Sequence, residues 1–336
     1  MNQPLSIRKF IDELVRETGL ESPEAAIRFR AKELLQLYTE FFGEPEMPID
    51  VMELASLRSI HPSDDLPVQS PDAELVPRQD GGVEMRVHPD RPETRKRFSI
   101  AHEICHTFFP DYEQSEWCRT DAHYRNRTDP AQYLEMLCDI GAAELLFPQP
   151  WFSEDASRIG CASDLKDLAI KYHGSREATL RRHVELSSDS VVAVYFTWKL
   201  KPAQKGVVDN QDQGNLFGIT PEDQIRDALA LRIDYSIPSA SFKSLGHYLP
   251  PDKSIENSGP IFMASSTGKC FDGEHQLGLG AASGTYSIMA IPLPTPLDQR
   301  GPNGEHNVAG ILKPIAVQRS TKKRTVEAEN APSLFD

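Results

Sequence analysis

Two histidines and a glutamate in the apolar segment 97–109 have the spacing of a metal-binding hydrolase motif. His102, Glu103 and His106 form the pattern His-Glu-x-x-His. On a helix, residues four apart project from the same face, so the two histidines can hold one metal ion. Glu103 then lies beside that face, where it can take a proton from the attacking water and pass it to a leaving amine. The pattern therefore predicts a Zn²⁺ hydrolase with Glu103 as its catalytic base.

A second helix is predicted to supply the third metal ligand. Asp129 followed by Pro130 is typical of a helix start, and prolines end the apolar run after residue 147. A catalytic zinc site uses three protein ligands and keeps a fourth position open. Glu135 and Asp139 are four apart, so Glu135 can bind the metal while Asp139 accepts a hydrogen bond from a ligand histidine. Asp139 and His123 are the alternative third ligands.

Other titratable residues near the motif have simpler predicted roles. Glu144 lies about two and a half turns beyond Glu135 and should project from the opposite face, so we expect it to be solvated. Cys105 and Cys138 are expected to pack in the core, as buried cysteines usually do. Cys118, in a polar loop-like stretch, is predicted to occupy the open zinc position and hold the enzyme latent; the alternative is an ordinary loop cysteine.

These motifs resemble those of the ImmA/IrrE-type metallopeptidases. Residues 97–106 are similar to the family's R-F-(T/S)-x-A-H-E-x-x-H, and residues 135–148 are similar to its E-x-x-A-N-x-F-A-A-x-L-L-x-P. Residues 48–55 also resemble the family's P-V-D-V-x-x-I-A helix, so the resemblance covers about residues 25–190. The chain departs from this pattern at three positions, which are Cys138 for Ala, Asp139 for Asn and Gly141 for Phe.

The resemblance implies a mainly helical, zincin-like peptidase domain with a short sheet. Peptidases of this family cut a helix-turn-helix transcriptional repressor and so switch on genes for stress, DNA-damage or phage responses. Some are thought to sense single-stranded DNA, which makes such DNA a candidate activator. These implications concern substrate and signal, about which the motif chemistry itself is silent.

Two other functions stay open. One is a non-catalytic regulatory or binding protein that keeps the metal fold, although retention of Glu103 argues against it. The other is a zinc hydrolase that acts on a non-peptide amide, which the width of the cleft would distinguish. The oxyanion-stabilising residue is also open, since His123, Tyr124 and Tyr112 all lie between the two motif helices.

Composition favours an intracellular enzyme. The chain has 336 residues, of which 39% are hydrophobic and 26% charged, as in ordinary globular proteins of two domains. The first residues lack an apolar signal-like region and no stretch is long enough to span a membrane, so we expect a cytoplasmic protein without a membrane partner. The odd count of five cysteines argues against a secreted disulfide framework.

A locally basic set stands out in an otherwise acidic chain. The net charge of −14 argues against extensive nucleic-acid coating but leaves room for a local basic groove. The simpler interpretation is that these residues belong to an ordinary solvated surface. The more specific one is that they line a rim that binds the phosphates of a nucleic acid. The candidates for binding DNA are Arg119, Arg125 and Arg127, and the rest of the set consists of Arg91, Arg95, Lys96 and Arg97. A separate basic cluster at residues 322–324 lies in the predicted tail.

Four segments of the α+β chain are expected. They are a zinc metallopeptidase domain at 1–200, a linker or excursion at 201–222, an α+β sensory or regulatory domain of GAF-like character at 223–317, and a disordered tail at 318–336. Helices are predicted at 7–20, 25–42, 49–57 and, as a pair, within 163–186. Strands are predicted at 83–87, 230–237, 260–264, 285–291 and 308–312. The strand at 83–87 is expected to line the cleft and pair with an extended substrate.

Overall fold

The protein forms two compact units, Met1–Ser187 and Ser188–Asp336. The computed structural model describes residues 3–64, 66, 71–78, 82–110, 112, 117–118, 128–203, 226 and 228–317. The predicted linker at 201–222 and the predicted tail at 318–336 lie largely or wholly outside these residues.

The first unit is mainly helical. Its helices are α1 (Gln3–Thr18), α2 (Pro23–Phe42), α3 (Val51–Ser56), α4 (Glu93–His106), α5 (Pro130–Leu146), α6 (Gln149–Ala156), α7 (Ala162–Lys171) and α8 (Arg176–Leu186). The predicted helices are confirmed, and α6 is an addition that the prolines at 148 and 150 had argued against. Proline is tolerated in a first helical turn, where its missing N–H costs nothing.

Side-chain caps explain where several helices begin. The Asp129 carboxylate accepts a hydrogen bond from the backbone N of Ala131 at 2.9 Å and so fixes the start of α5. Asp50 caps α3 in the same way, at 2.7 Å from the backbone N of Met52. Local sequence therefore fixes the start of α5, which carries Glu135 and Asp139, whereas α4 begins after Pro92 without a side-chain cap.

A small mixed sheet accompanies these helices. Its strands are β1 (Pro62–Ser63), β2 (Ala73–Pro77), β3 (Val83–Val87) and β4 (Trp117–Cys118), in the order β1-β3-β2-β4. Strand β3 pairs in parallel with β1 and antiparallel with β2. Strand β3 was expected to pair with an extended substrate, but it has a neighbouring strand on each side and so has no free edge for that pairing. Among the described strands, the edges of this sheet are β1 and β4.

Helices α4 and α5 approach each other closely at a glycine. A Cβ atom on Gly141 would lie 2.6 Å from Cys105 Sγ and 3.1 Å from Ile27 Cγ1. No real Cβ occupies such a position, so glycine is required for α5 to pack this tightly against α4 and α2. This packing brings the two motif helices together.

The second unit is built on a five-stranded antiparallel sheet. Its elements are β5 (Val192–Lys199), β6 (Ala230–Pro238), α9 (Ala240–Ser244), α10 (Gly259–Thr267), β7 (Phe271–Leu277), β8 (Gly284–Pro292) and β9 (Val308–Val317). The sheet order is β6-β5-β9-β8-β7, so its first and last strands along the chain are neighbours at the centre. Strand β5 falls within segment 1–200 and completes this second sheet.

The strands predicted at 230–237, 285–291 and 308–312 are confirmed, but the strand predicted at 260–264 is wrong because α10 lies there. Pro260 stands in the first turn of α10, where its fixed φ suits a helix. Gly268 ends α10 in the left-handed region with φ 67, and its N–H donates to Ala264 O at 3.1 Å. The proline at the start and the glycine at the end thus mark a helix, although the apolar residues between them resemble a strand.

Candidate metal centre

Helix α4 carries the motif residues into the interior of the first unit. His102 is 1% exposed, and Glu103 and His106 are fully buried. The two imidazole rings lie 5.1 Å apart between centroids, as expected for residues four apart on a helix. Arg97 on the same helix donates to Ile49 O at 2.8 Å, which ties α4 to the chain before α3.

Helix α5 brings two carboxylates to the histidines. Glu135 Oε2 lies 3.1 Å from His102 Nε2, and Glu135 Oε1 lies 3.5 Å from His106 Nε2. Asp139 Oδ1 lies 3.0 Å from His102 Nδ1. One carboxylate thus bridges both Nε2 atoms, while the next turn of α5 holds the other nitrogen of His102.

These separations suit a zinc ion. Zinc binds imidazole nitrogen and carboxylate oxygen at about 2.0–2.2 Å, so two ligand atoms of a tetrahedral site lie about 3.4 Å apart. The observed distances from Glu135 to the two Nε2 atoms, 3.1 and 3.5 Å, lie on either side of that value. The donor set of two imidazoles and one carboxylate is also one that catalytic zinc sites use.

A cysteine also approaches the histidines. Cys138 Sγ lies 3.5 Å from His106 Nδ1, and His102, His106 and Cys138 form a buried cluster whose potential ligand atoms lie within 4.8 Å of one another. This cluster can bind a metal. His106 faces Glu135 with Nε2 and Cys138 with Nδ1, so the carboxylate and the thiol contact different nitrogens of this ring. The sequence signal for Cys138 was its spacing of three residues from Glu135.

Burial and neighbouring charges separate the pKa values of the two histidines. Burial lowers the pKa of His102, but its hydrogen bonds to Asp139 and Glu135 outweigh burial and raise that pKa to about 10. Burial lowers the pKa of His106 to about 4, despite the opposing charge of Glu135. Burial would raise the pKa of Glu135, yet the hydrogen bond from His102 and the charges of both histidines lower it. Glu135 therefore carries its negative charge beside the two rings.

The thiols of Cys105 and Cys138 are packed as expected. Both side chains are fully buried, which confirms the core prediction. Burial raises the pKa of each thiol well above its ordinary value. Neither forms a disulfide in the described part of the chain.

The prediction for Glu144 is wrong. Its side chain is 1% exposed, and its carboxylate accepts hydrogen bonds from Arg182 at 2.6 Å and Arg28 at 3.2 Å. The face of α5 opposite Glu135 is covered by other helices of the unit rather than by water. Its charge is balanced by buried arginine, as a buried carboxylate requires.

The basic set is largely committed to acidic partners where it is described. Asp72, itself 5% exposed, lies 2.8 Å from Arg91 Nε and 2.5 Å from Arg95 Nε. Lys96 lies 3.3 Å from Asp64, and Arg97 is buried. These contacts tie Arg91, Arg95 and Lys96 to acidic neighbours, although Arg91 and Arg95 share the single charge of Asp72.

Several other site predictions fall outside the described residues. The backbone of Cys118 pairs with Glu74 at the β4 edge, but its side chain is outside the description. Tyr112, which is described, is half-buried and packs against the hydrophobic core of the first unit. The remaining candidates lie outside the described residues; they are Arg119, His123, Tyr124, Arg125, Arg127 and the basic cluster at 322–324.

Known proteins are similar to parts of this chain. Residues 66–183 match the sequence model of the IrrE N-terminal-like domain. The chain is 30% identical over 125 residues to a protein named radiation response metalloprotease IrrE from Deinococcus radiodurans, and this match covers 37% of each chain. A solved structure titled Mycobacterium tuberculosis transcriptional regulator aligns with 92% of this chain and 80% of its own at 13% identity and a TM-score of 0.48. Among the described helices, none has the length and apolar character needed to cross a membrane.

Proposed function

From the IrrE N-terminal-like domain that residues 66–183 form, we propose that this chain is a zinc-dependent endopeptidase that cleaves a helix-turn-helix transcriptional repressor. The observation that carries the proposal is the convergence of His102 and His106 Nε2 on the carboxylate of Glu135, beside a buried Glu103. The chain spans 37% of the length of its IrrE relative, so the function of the whole protein belongs to the proposal.

His102, His106 and Glu135 would hold the zinc ion. Bound there, zinc would polarise the scissile carbonyl and lower the pKa of a water molecule. Glu103 accepts the proton of the attacking water and donates it to the nitrogen of the breaking peptide bond. Asp139 accepts the Nδ1 proton of His102, which leaves the Nε2 lone pair of that ring for the metal.

We assign the third ligand to Glu135 rather than to Cys138. Glu135 reaches the same nitrogen type, Nε2, on both rings. Cys138 instead contacts Nδ1 of His106, the nitrogen that faces away from Glu135. Glu135 also supplies a negative charge, which lies between the two rings.

The substrate and the signal extend this proposal. The IrrE relative is named a radiation response metalloprotease, which supports a role for this chain in a stress or DNA-damage response that releases repressed genes. A repressor protease must be gated, and single-stranded DNA bound by Arg119, Arg125 and Arg127 is the proposed activator. Cys118 is proposed to occupy the fourth zinc position in the latent enzyme, and the second unit to act as a GAF-like sensory domain.

The catalytic test compares Glu103→Gln with the parent chain. This variant keeps all three ligands, so zinc content should be unchanged, while cleavage of a candidate helix-turn-helix repressor should fall by about 10²–10⁴-fold. Glu154→Gln, which changes a 68% exposed glutamate of the same unit, is the matched control. If Glu103→Gln cleaves as fast as the parent, Glu103 is not the catalytic base. If the parent binds zinc but cleaves no peptide, the non-peptide or non-catalytic alternatives are favoured.

The third-ligand test uses Glu135→Ala. Zinc occupancy measured by metal analysis should drop, because one of three protein ligands is lost. Full occupancy in this variant would transfer the role to Cys138, Asp139 or His123.

The gating test measures repressor cleavage with and without a single-stranded oligonucleotide at low and moderate salt. Stimulation should weaken steeply with salt and disappear when Arg119, Arg125 and Arg127 are changed to Glu. Stimulation that survives both changes would favour a different signal. Cys118→Ser should raise cleavage without any stimulus, and an unchanged basal rate would exclude the latent-thiol role.

A further inference from the structure

One turn of α5 presents three polar groups to the two motif histidines. Glu135, Cys138 and Asp139 stand at positions i, i+3 and i+4. Relative to Glu135, Cys138 is rotated about 60° to one side of the helix and Asp139 about 40° to the other. The two residues that flank Glu135 can therefore each reach a different histidine.

The contacts follow this division. Asp139 Oδ1 is 3.0 Å from Nδ1 of His102, and Cys138 Sγ is 3.5 Å from Nδ1 of His106. In each ring the other nitrogen, Nε2, faces Glu135. Cys138 thus has the same relation to His106 that Asp139 has to His102.

We propose that Cys138 is a positioning residue whose sulfur accepts the Nδ1 proton of His106 and so leaves Nε2 of that ring free to bind the metal. The inference rests on the proposed zinc site and deepens it, because it concerns the orientation of one ligand. A histidine ligand is ordinarily held through its second nitrogen by a carboxylate, a carbonyl or water. Here the thiol takes that place.

Geometry and burial support the sulfur in this role. Both Cys138 and His106 are fully buried, so bulk water does not compete for Nδ1. The opposite arrangement, in which the S–H donates to Nδ1, puts the ring proton on Nε2 and blocks the nitrogen that faces Glu135. The family pattern commonly has alanine at this position, which offers no acceptor, so the device belongs to this chain.

The size of the effect should be modest. Removing an outer-sphere partner of a metal ligand typically lowers metal affinity by about 10–100-fold. Sulfur is a weak acceptor, so we expect Cys138→Ala to lie near the bottom of that range, at about 10-fold. Cys138→Ser restores a small acceptor at the same place and should keep most of the affinity.

The experiment labels the histidines of the full chain with nitrogen-15 and locates the ring proton of His106 by long-range nitrogen–proton NMR, with and without zinc. Zinc affinity is measured in parallel by competition with a chelator. The variants are Cys138→Ala, Cys138→Ser and the matched control Cys105→Ala, which removes an equally buried sulfur from the same helix pair.

The parent and Cys138→Ser should carry the proton on Nδ1 of His106 in the zinc-free chain, whereas Cys138→Ala should show a mixture of tautomers and the affinity loss. Cys105→Ala should change folding stability but neither the tautomer nor the affinity. A proton on Nε2 in the zinc-free parent, or a Cys138→Ala variant indistinguishable from Cys105→Ala, would overturn the proposal.

A cobalt-substituted sample separates this inference from the proposed function. If Cys138 is itself a ligand, the parent shows thiolate-to-cobalt charge-transfer absorption that Cys138→Ser loses, and the positioning role is refuted. If the parent binds no zinc at these histidines, the proposed function fails, while the tautomer in the zinc-free chain still decides the role of Cys138.

Discussion

Replacing Glu144 with glutamine should cost the first unit about 3 kcal/mol of stability. Glu144 and Arg182 are each 1% exposed, and their closest atoms are 2.6 Å apart. Removing one charge from a buried pair typically costs about 3–5 kcal/mol, because the other charge stays buried without compensation. Arg182 keeps Glu185 at 3.3 Å and Phe147 O at 3.0 Å in the variant, so we expect the lower end.

The assay is amide hydrogen exchange in α5 and α8, which reports on this unit without assuming that the whole chain unfolds in one step. A loss of 3 kcal/mol corresponds to roughly 150-fold faster exchange of the most protected amides. Glu154→Gln is the control, since its ion pair with Arg158 has exposures of 67% and 68% and should contribute between about 0 and 1 kcal/mol.

A double variant sharpens the test. Glu144→Gln combined with Arg182→Met removes both charges and should be less destabilised than Glu144→Gln alone, because no charge is left unpaired. Exchange in Glu144→Gln within a few-fold of the Glu154→Gln control would refute the argument that this pair is desolvated.

Three further predictions concern the same unit. Gly141→Ala should lower stability by about 1–3 kcal/mol in thermal unfolding, since its Cβ would lie 2.6 Å from Cys105 Sγ, and Cys105→Ala should relieve part of that loss. Asp139→Ala should lower zinc affinity by about 10–100-fold in a chelator competition, and stripping zinc from the parent should end cleavage. The pKa of Asp155 is lowered: burial opposes this, but hydrogen bonds from Lys171 and Tyr172 outweigh it. Its stabilising contribution should therefore be present above about pH 4 and lost as the pH falls, and Asp155→Asn should flatten that part of an acid titration of stability.

The parts of the site that depend on local helical spacing were predictable. His102 and His106 follow from the helix period, and Glu135 and Asp139 stand near them because a capped helix presents residues four apart on one face. The contact between Cys138 and His106 could not be predicted from the sequence, because it depends on how α5 packs against α4. Only that packing shows which nitrogen of His106 lies next to the sulfur.

Long-range partners explain the errors. Glu144 does project away from Glu135, but no local pattern indicates that Arg182, on a later helix, covers that face. The helix at α10 was mistaken for a strand because its interior is apolar and short, and only its proline and glycine ends distinguish it. Strand β7 was missed because it lacks an alternating apolar pattern. Only one of its seven residues, Leu277, is buried.

The position of β5 in the second sheet has a consequence for how the chain is made. On the ribosome, domains generally fold as units beginning with the N-terminal one, so the first unit can form as soon as residue 187 emerges. The buried, apolar strand β5 follows directly, yet Val192 pairs with Leu312 on β9, the last described strand. Until β9 has been synthesised, β5 has an unpaired edge, and such an edge promotes aggregation. Nascent chains stalled before residue 308 should therefore carry a folded first unit followed by an incompletely folded second unit that is prone to aggregation and sensitive to proteases.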